Sequence, residues 1–145
     1  MQIAQINIAR MLAPLEDPIM EGFVNNLERI NQLADAHPGF VWRLQGEEDN
    51  ATAIRIFEDD YLIINMSVWA SLETLQHYVY KTVHAEFIRR KKEWFSKMDK
   101  MHMALWWVED GHQPSPLEGR QRLEYLQAHG PSEKAFTFAK PFPHS

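Results

Sequence analysis

The chain has 145 residues, room for one domain but not for two with separate cores. A content of 45% hydrophobic and 24% charged residues excludes disorder, collagen-like repeats and low-complexity sequence. The net charge of -5 argues against nucleic acid and anionic membranes as partners, because both select concentrated positive charge. Without cysteine there is no disulfide framework, thiolate nucleophile or cysteine-based metal site. Apolar runs are too short to cross a bilayer, and Met-Gln-Ile-Ala-Gln-Ile-Asn at the start lacks the pattern of a signal peptide. A cytoplasmic protein is expected.

The first element reads as a strand with Ala4, Ile6 and Ile8 on one face and Ile3, Gln5, Asn7 and Ala9 on the other. Asp17-Pro18 is a helix start, since Asp accepts from first-turn N–H groups and Pro gives up no bond there. Met20, Phe23, Leu27, Ile30 and Ala34 then form one apolar stripe, ended by His37-Pro38-Gly39. Phe40 to Leu44 is a second strand. After the polar turn Gly46 to Asn50, Thr52 to Phe57 suits a short strand ahead of a turn at Asp59-Asp60. Leu62 to Trp69 is the clearest strand, uniformly apolar at Leu62, Ile64, Met66 and Val68 and mixed at Ile63, Asn65, Ser67 and Trp69. Ser71 caps a helix with Leu72, Leu75 and Val79 as its stripe. The helical pattern runs to about Lys97, with a break expected near Thr82-Val83 and a recapped helix through Phe87, Ile88 and Trp94. Met101 to Glu109 is a strand, Leu117 to His129 a helix closed by Gly130-Pro131, and Phe136 to Phe138 a terminal strand.

This order is that of an α+β, ferredoxin-like split βαβ protomer in one domain over residues 1–145, with an antiparallel sheet and helices on one face. A second face bearing Ile and Trp needs a cover, and a second copy of the sheet supplies one. A two-fold homodimer is therefore expected.

Several segments together resemble one bacterial family: Asn7-Ile8-Ala9-Arg10, Pro38 to Leu44, Asn65-Met66-Ser67-Val68-Trp69, Tyr80-Lys81-Thr82-Val83-His84, Arg90 with Trp94-Phe95, Leu105-Trp106-Trp107-Val108, and Gly130-Pro131 with Ala135-Phe136. The family is domain-of-unknown-function family 3291, of the dimeric α/β-barrel superfamily that contains the antibiotic-biosynthesis-monooxygenase-like proteins. The resemblance implies a ferredoxin-like protomer whose two copies close a barrel, and no particular activity. The superfamily includes cofactor-independent monooxygenases of aromatic polyketide synthesis, haem-degrading monooxygenases and small-ring isomerases. Its haem-degrading members use an Asn on the first strand with a helical aromatic residue and a following His. Here those positions are Asn7, Tyr78 in place of a Trp, and His84.

The candidate site follows from a polar alternation on an otherwise apolar face. Asn7 and Gln5 on the first strand, with Asn65 and Ser67 on the fourth, read either as groups satisfying one another or as the polar wall of an apolar pocket. In the second reading Asn7, Tyr80 and His84 are catalytic, an amide holding an oxyanion beside a phenol and imidazole that move a proton. Gln5, Asn65, Ser67, Trp69, Tyr78, Trp106 and Trp107 line the substrate. Trp106 and Trp107, being adjacent on a strand, point to opposite faces. No metal is expected, because the helical His signatures are missing and His77 and His84 would stand about 10 Å apart on an unbroken helix. Arg89 to Lys92 reads as a solvated basic helix face, within which Arg90 could instead pair with Trp94 or with a buried carboxylate. Three functions compete: a cofactor-independent monooxygenase or isomerase acting on a small aromatic or polyketide-like molecule, a binding protein for haem or a hydrophobic metabolite, and a purely structural homodimer.

Overall fold

Strand β1 (Gln2–Met11) is the centre of the sheet, and its strict alternation gives it two buried faces. The computed structural model describes residues 1–44, 62–81, 89–96 and 101–144. Strand β2 (Phe40–Arg43) pairs with β3 (Leu62–Trp69), and β3 lies antiparallel to β1 from Ile3↔Trp69 to Arg10↔Leu62. On the other side of β1 run the two-residue β4 (Phe95–Ser96) and β5 (Met103–Val108), the latter in register from Gln2↔Val108 to Asn7↔Met103. The order β2-β3-β1-β5 is that of the split βαβ unit. The expected turns and strand within 45–61, the residues Thr82, His84, Phe87 and Ile88, and Lys97 lie outside the described residues.

The helices begin where side chains can take orphan N–H groups. Asp17 accepts from Ile19 N–H at 3.0 Å ahead of the short 3-10 turn Pro18–Met20, which leads into α1 (Glu21–Ala36). Ser71 accepts from Thr74 N–H at 3.2 Å to open α2 (Leu72–Lys81). Ser115 accepts from Glu118 N–H at 3.1 Å to open α3 (Pro116–His129), which Gly130 closes at φ 78°.

The two faces of the sheet are covered by different helices. Ile3, Trp69 and Leu105 pack with Ala34 of α1, Leu75 and Tyr78 of α2, and Phe136. Ala4, Ile6, Ile8, Ile64, Met66, Val68, Ala104 and Trp106 point the opposite way and pack with Leu123 and Leu126 of α3. The ferredoxin-like order holds, but helices on one face do not describe this chain. The second face is covered by α3, which approaches so closely that a Cβ on Gly119 would lie 2.9 Å from Met66. Ile6, Met66 and Trp106 are fully buried within the single chain. The premise from which a dimer was expected, a bare second face, is thus absent.

Two local expectations also change. Trp94 is not in a helix: it follows the 3-10 turn Lys91–Glu93 and leads into β4, with its carbonyl accepting from Leu12 N–H at 2.8 Å. Its ring is buried against Gly22 of α1 and under the Arg90 guanidinium, 4.8 Å from the centroid. Tertiary burial of a large ring has overridden the local helical pattern. In the terminal segment Phe136 pairs with Leu105 of β5 through two 2.9 Å bonds, while Ala135 and Thr137 bridge locally to Ser132 and Lys140, so isolated bridges replace the strand expected over Phe136 to Phe138.

Candidate functional site

The side of the sheet that faces α1 and α2 carries the polar residues in adjacent rungs. Register sets Asn7 opposite Asn65 and Gln5 opposite Ser67, with Ile3 opposite Trp69 below them. Gln5 and Ser67 are each 6% exposed, and they are the buried polar side chains among the described residues. Their burial is tolerated because they bond one another. Gln5 Nε2 donates to Asn65 Oδ1 at 2.7 Å and to Ser67 Oγ at 2.8 Å, and Trp69 Nε1 donates to the same hydroxyl oxygen at 2.8 Å. Both Gln5 amide protons are thereby used. Because the Asn65 oxygen is taken by Gln5, its Nδ2 is the end presented elsewhere. Asn65 is exposed and Asn7 half-buried, so the rung becomes more open from Trp69 towards Asn7.

An aromatic floor closes the deep end. Tyr78 stacks on Trp69 with centroids 5.0 Å apart, and Phe40 meets Trp69 edge-on at 5.5 Å. The Tyr78 hydroxyl donates to the Ile30 carbonyl of α1 at 3.2 Å. His37, just past α1, sets its ring against both Trp69 and Tyr78. Its Nδ1 donates to the Pro38 carbonyl at 2.8 Å, which makes Nε2 the acceptor for His77 Nδ1–H at 2.9 Å when both rings are neutral. Arg43 grips Asp35 of α1 through Nε at 2.7 Å and Nη2 at 3.3 Å.

Burial raises the Tyr78 phenol well above the ordinary tyrosine value; Asp35 adds to the rise and Arg43 opposes it. A raised folded value means that the neutral phenol stabilises the fold. That stability is fully present below the unfolded value of about 10 and is lost as the pH rises beyond it. Urea unfolding between about pH 9 and 11 should show the unfolding free energy falling by up to about 1.4 kcal/mol per pH unit from this group alone. Tyr78→Phe should flatten the slope by that amount, and an unchanged slope would show that Tyr78 ionises freely in the folded chain.

The structure brings together Gln5, Asn65, Ser67 and Trp69 as one bonded group, with Asn7 opposite Asn65 and Tyr78 stacked on Trp69. It does not bring Tyr80 to Asn7. Tyr80 is 57% exposed and meets Phe138 edge-on, because residues two apart on a helix cannot share a face and Tyr78 takes the inward position. Trp106 is fully buried on the α3 side, away from Asn7, with Nε1 donating to Glu118 at 3.0 Å. Trp107 lies on the side that faces α1 and α2, but its indole donates to the Phe142 carbonyl at 2.7 Å and its ring meets His144. The described part of the Asn7–Tyr78–His84 trio does not fit a haem face, since Tyr78 is filled in between Trp69 and α1 instead of offering a surface. Among the described residues no cluster of three His, Asp or Glu is placed to hold a metal. Sequence reasoning missed the Asp35–Arg43 clamp and His37, whose only signal was the position of His37 at a helix end.

An antiparallel sheet with α1 and α2 on one side and a polar rung set into that apolar face defines a ferredoxin-like α+β protein, the fold of the antibiotic-biosynthesis-monooxygenase-like proteins. The family model described as "Domain of unknown function (DUF3291)" matches residues 2–145, and the chain belongs to that family. Among solved structures it is similar to SnoaB, a cofactor-independent oxygenase from Streptomyces nogalater, at 16% identity and TM-score 0.53 over 79% of this chain and 97% of that one. It is also similar to a putative antibiotic biosynthesis monooxygenase from Chloroflexus aurantiacus J-10-fl, at 14% identity and TM-score 0.52 over 78% of this chain and 98% of that one. At such identity the likeness is one of fold. No curated protein sequence matches the chain. No helix among the described residues is long and apolar enough to cross a membrane.

Proposed function

We propose that this protein binds a small aromatic or polyketide-like molecule at the open end of the polar rung and oxygenates or isomerises it without a cofactor. The observation that carries the reading is the 2.7 Å bond from Gln5 to Asn65 Oδ1, which fixes the Asn65 carboxamide with its N–H groups as the available donors. Asn7 stands directly opposite on the neighbouring strand, where paired side chains can address one atom. Two amides on paired strands, that of Asn65 oriented by Gln5, suit an enolate or phenolate oxygen, whose charge they would stabilise as it forms. A substrate carbanion stabilised in this way can add O2 and take up a proton to give the hydroperoxide H–C–O–OH, which loses water as its C–H and O–O bonds break, so that CH2 becomes C=O with one oxygen atom retained and the other released as water. The base implied by family resemblance is His84; Tyr80, on the outer surface of α2, has no part in it. The fold shared with SnoaB supports this reading.

Oxygen consumption and product formation over a panel of hydroxylated aromatics are the test. Asn7→Ala and Asn65→Ala should each lower kcat by about a hundredfold, as loss of an oxyanion donor does, with stability changed by no more than about 1 kcal/mol in Asn7→Ala and lowered by about 1–3 kcal/mol in Asn65→Ala, which leaves a buried Gln5 N–H without its acceptor. Absence of turnover across the panel would remove the enzymatic reading. The closed Gln5–Ser67–Trp69 network favours a second, structural reading, under which the same substitutions lower stability and there is no activity to lose. A homodimer is a separate proposal: with α3 over the second face, two copies would meet along strand edges or exchange α3, and sedimentation velocity distinguishes dimer from monomer.

A further inference from the structure

Apart from the rung, two imidazoles from separate elements are held nitrogen to nitrogen. His37 follows α1 and His77 lies within α2, and His37 Nε2 is 2.9 Å from His77 Nδ1 with the ring centroids 5.1 Å apart. The two rings differ in freedom. His37 is half-buried, edge-on to Trp69 and to Tyr78 with centroids 5.6 Å away in each case. Its Nδ1 donates to the Pro38 carbonyl at 2.8 Å, which leaves a lone pair on Nε2 aimed at His77. Imidazoles that ligate metals are held in this way, the second ring nitrogen donating to a backbone carbonyl or a carboxylate. His77 is exposed, so its ring is free to turn and, as the Nε2–H tautomer, to present a lone pair on Nδ1.

We propose that His37 and His77 chelate a divalent transition ion of tetragonal preference, Cu2+ above Ni2+, with water in the remaining positions. Two nitrogens 2.9 Å apart, each about 2.0–2.1 Å from a metal, subtend an angle of about 90° at it. This is the cis angle of a square-planar or tetragonal ion, whereas a tetrahedral ion such as Zn2+ needs the nitrogens about 3.3 Å apart. The ion takes the place of the hydrogen bond: His37 keeps its position, and the exposed His77 swings aside and changes tautomer. Glu73, four residues before His77 on the same face of α2, adds negative charge that favours a cation. Asp35 is gripped by Arg43 and supplies no third ligand. The site is therefore a peripheral two-point chelate, independent of the chemistry proposed at the Asn7–Asn65 rung. A bound ion would tie the end of α1 to α2 across the Trp69–Tyr78 floor and stabilise that junction by mass action.

Titration of the full chain with CuCl2, read by calorimetry and by tryptophan fluorescence, tests the proposal. One ion per chain should bind and quench Trp69, whose ring lies 5.6 Å from that of His37. Ni2+ and Zn2+ should both bind more weakly. His37→Asn and His77→Asn should each weaken Cu2+ by about tenfold or more, since each removes the intramolecular second contact. The double variant should bind little more weakly than either single one, because the two rings act as a unit. Electron paramagnetic resonance of the bound Cu2+ should show coupling to two imidazole nitrogens, and to one in either variant. If His37→Asn fails to fold through loss of its contacts with Trp69 and Tyr78, His77→Asn at its exposed position gives the same readings. His129→Asn, on α3, controls for adventitious imidazoles and should leave the affinity unchanged. Asn65→Ala should bind Cu2+ as the unaltered chain does, so failure here and failure of the oxygenase reading can be told apart. Unchanged affinity in His77→Asn, additive losses in the double variant, or coupling to a single nitrogen in the unaltered chain would each overturn the assignment.

Discussion

Trp69→Ala should lower the unfolding free energy by about 5 kcal/mol, enough to reduce the thermal midpoint by about 15 °C. Trp69 is 1% exposed, so truncation leaves a cavity the size of an indole at the junction of β3, α1 and α2. Loss of a buried Trp side chain costs about 3–5 kcal/mol, and the Tyr78 stack and Phe40 edge contact add about 0.5–1.5 kcal/mol each when broken. Ser67 also loses one of its two donors. Trp69→Phe keeps most of the ring packing but drops the N–H, and its expected cost is about 1–2 kcal/mol. Denaturant midpoints for the two variants check the ordering. Equal costs would mean that the hydrogen bond to Ser67, and not packing, dominates at this position.

Gly39→Ala should cost about 3–4 kcal/mol although it adds one carbon. Gly39 has φ 88°, where an L side chain is strained by about 1–2 kcal/mol. Its added Cβ would lie 2.5 Å from Thr74 Cβ, so the start of α2 would have to move, adding overpacking of about 1–3 kcal/mol. Movement is resisted because Ala70 N–H donates to the Gly39 carbonyl at 2.7 Å and Thr74 is bonded into the Ser71 cap. Gly111 separates the two contributions, having φ 86° with nothing within 4 Å of its would-be Cβ. Gly111→Ala should cost only about 1 kcal/mol. In a double-mutant cycle, Thr74→Gly should recover the steric part of the Gly39→Ala loss, a coupling of about 1–3 kcal/mol. Equal costs at Gly39 and Gly111 would show that the contact with Thr74 relaxes freely.

Much of the local structure was legible because its causes are local. The alternation at Leu62 to Trp69 predicts β3 with the bounds that form, and the split of β1 into Ala4, Ile6, Ile8 and Ile3, Gln5, Asn7 is the split between its two packing partners. Asp17 and Ser71 cap where their chemistry requires, whereas the Ser115 cap of α3 lay in a segment read as a loop. By contrast, α3 was visible as a helix while its seat was not, because its buried stripe is Gly119, Leu123 and Leu126, a narrow line that starts on a residue with no side chain. Trp94 was misplaced for a similar reason: its helical surroundings are a weak local preference, outweighed by a niche that Gly22 opens on a distant helix.

The candidate site divides the same way. Which residues share its face follows from strand period, so Gln5, Asn7, Asn65 and Ser67 were grouped correctly from the one-dimensional pattern. Whether their polar atoms turn to a ligand or to each other depends on bonds such as Gln5–Asn65, between residues sixty apart in the chain. The types of β1, β2, β3, α1, α2 and β5, the caps at Asp17 and Ser71, and the two faces of β1 were thus determined by the sequence alone, since each arises from neighbours a few residues away. The tertiary structure decided what covers each face, which tyrosine turns inward and which amide is left to donate, because burial and hydrogen-bond satisfaction are settled only when distant segments compete for the same space.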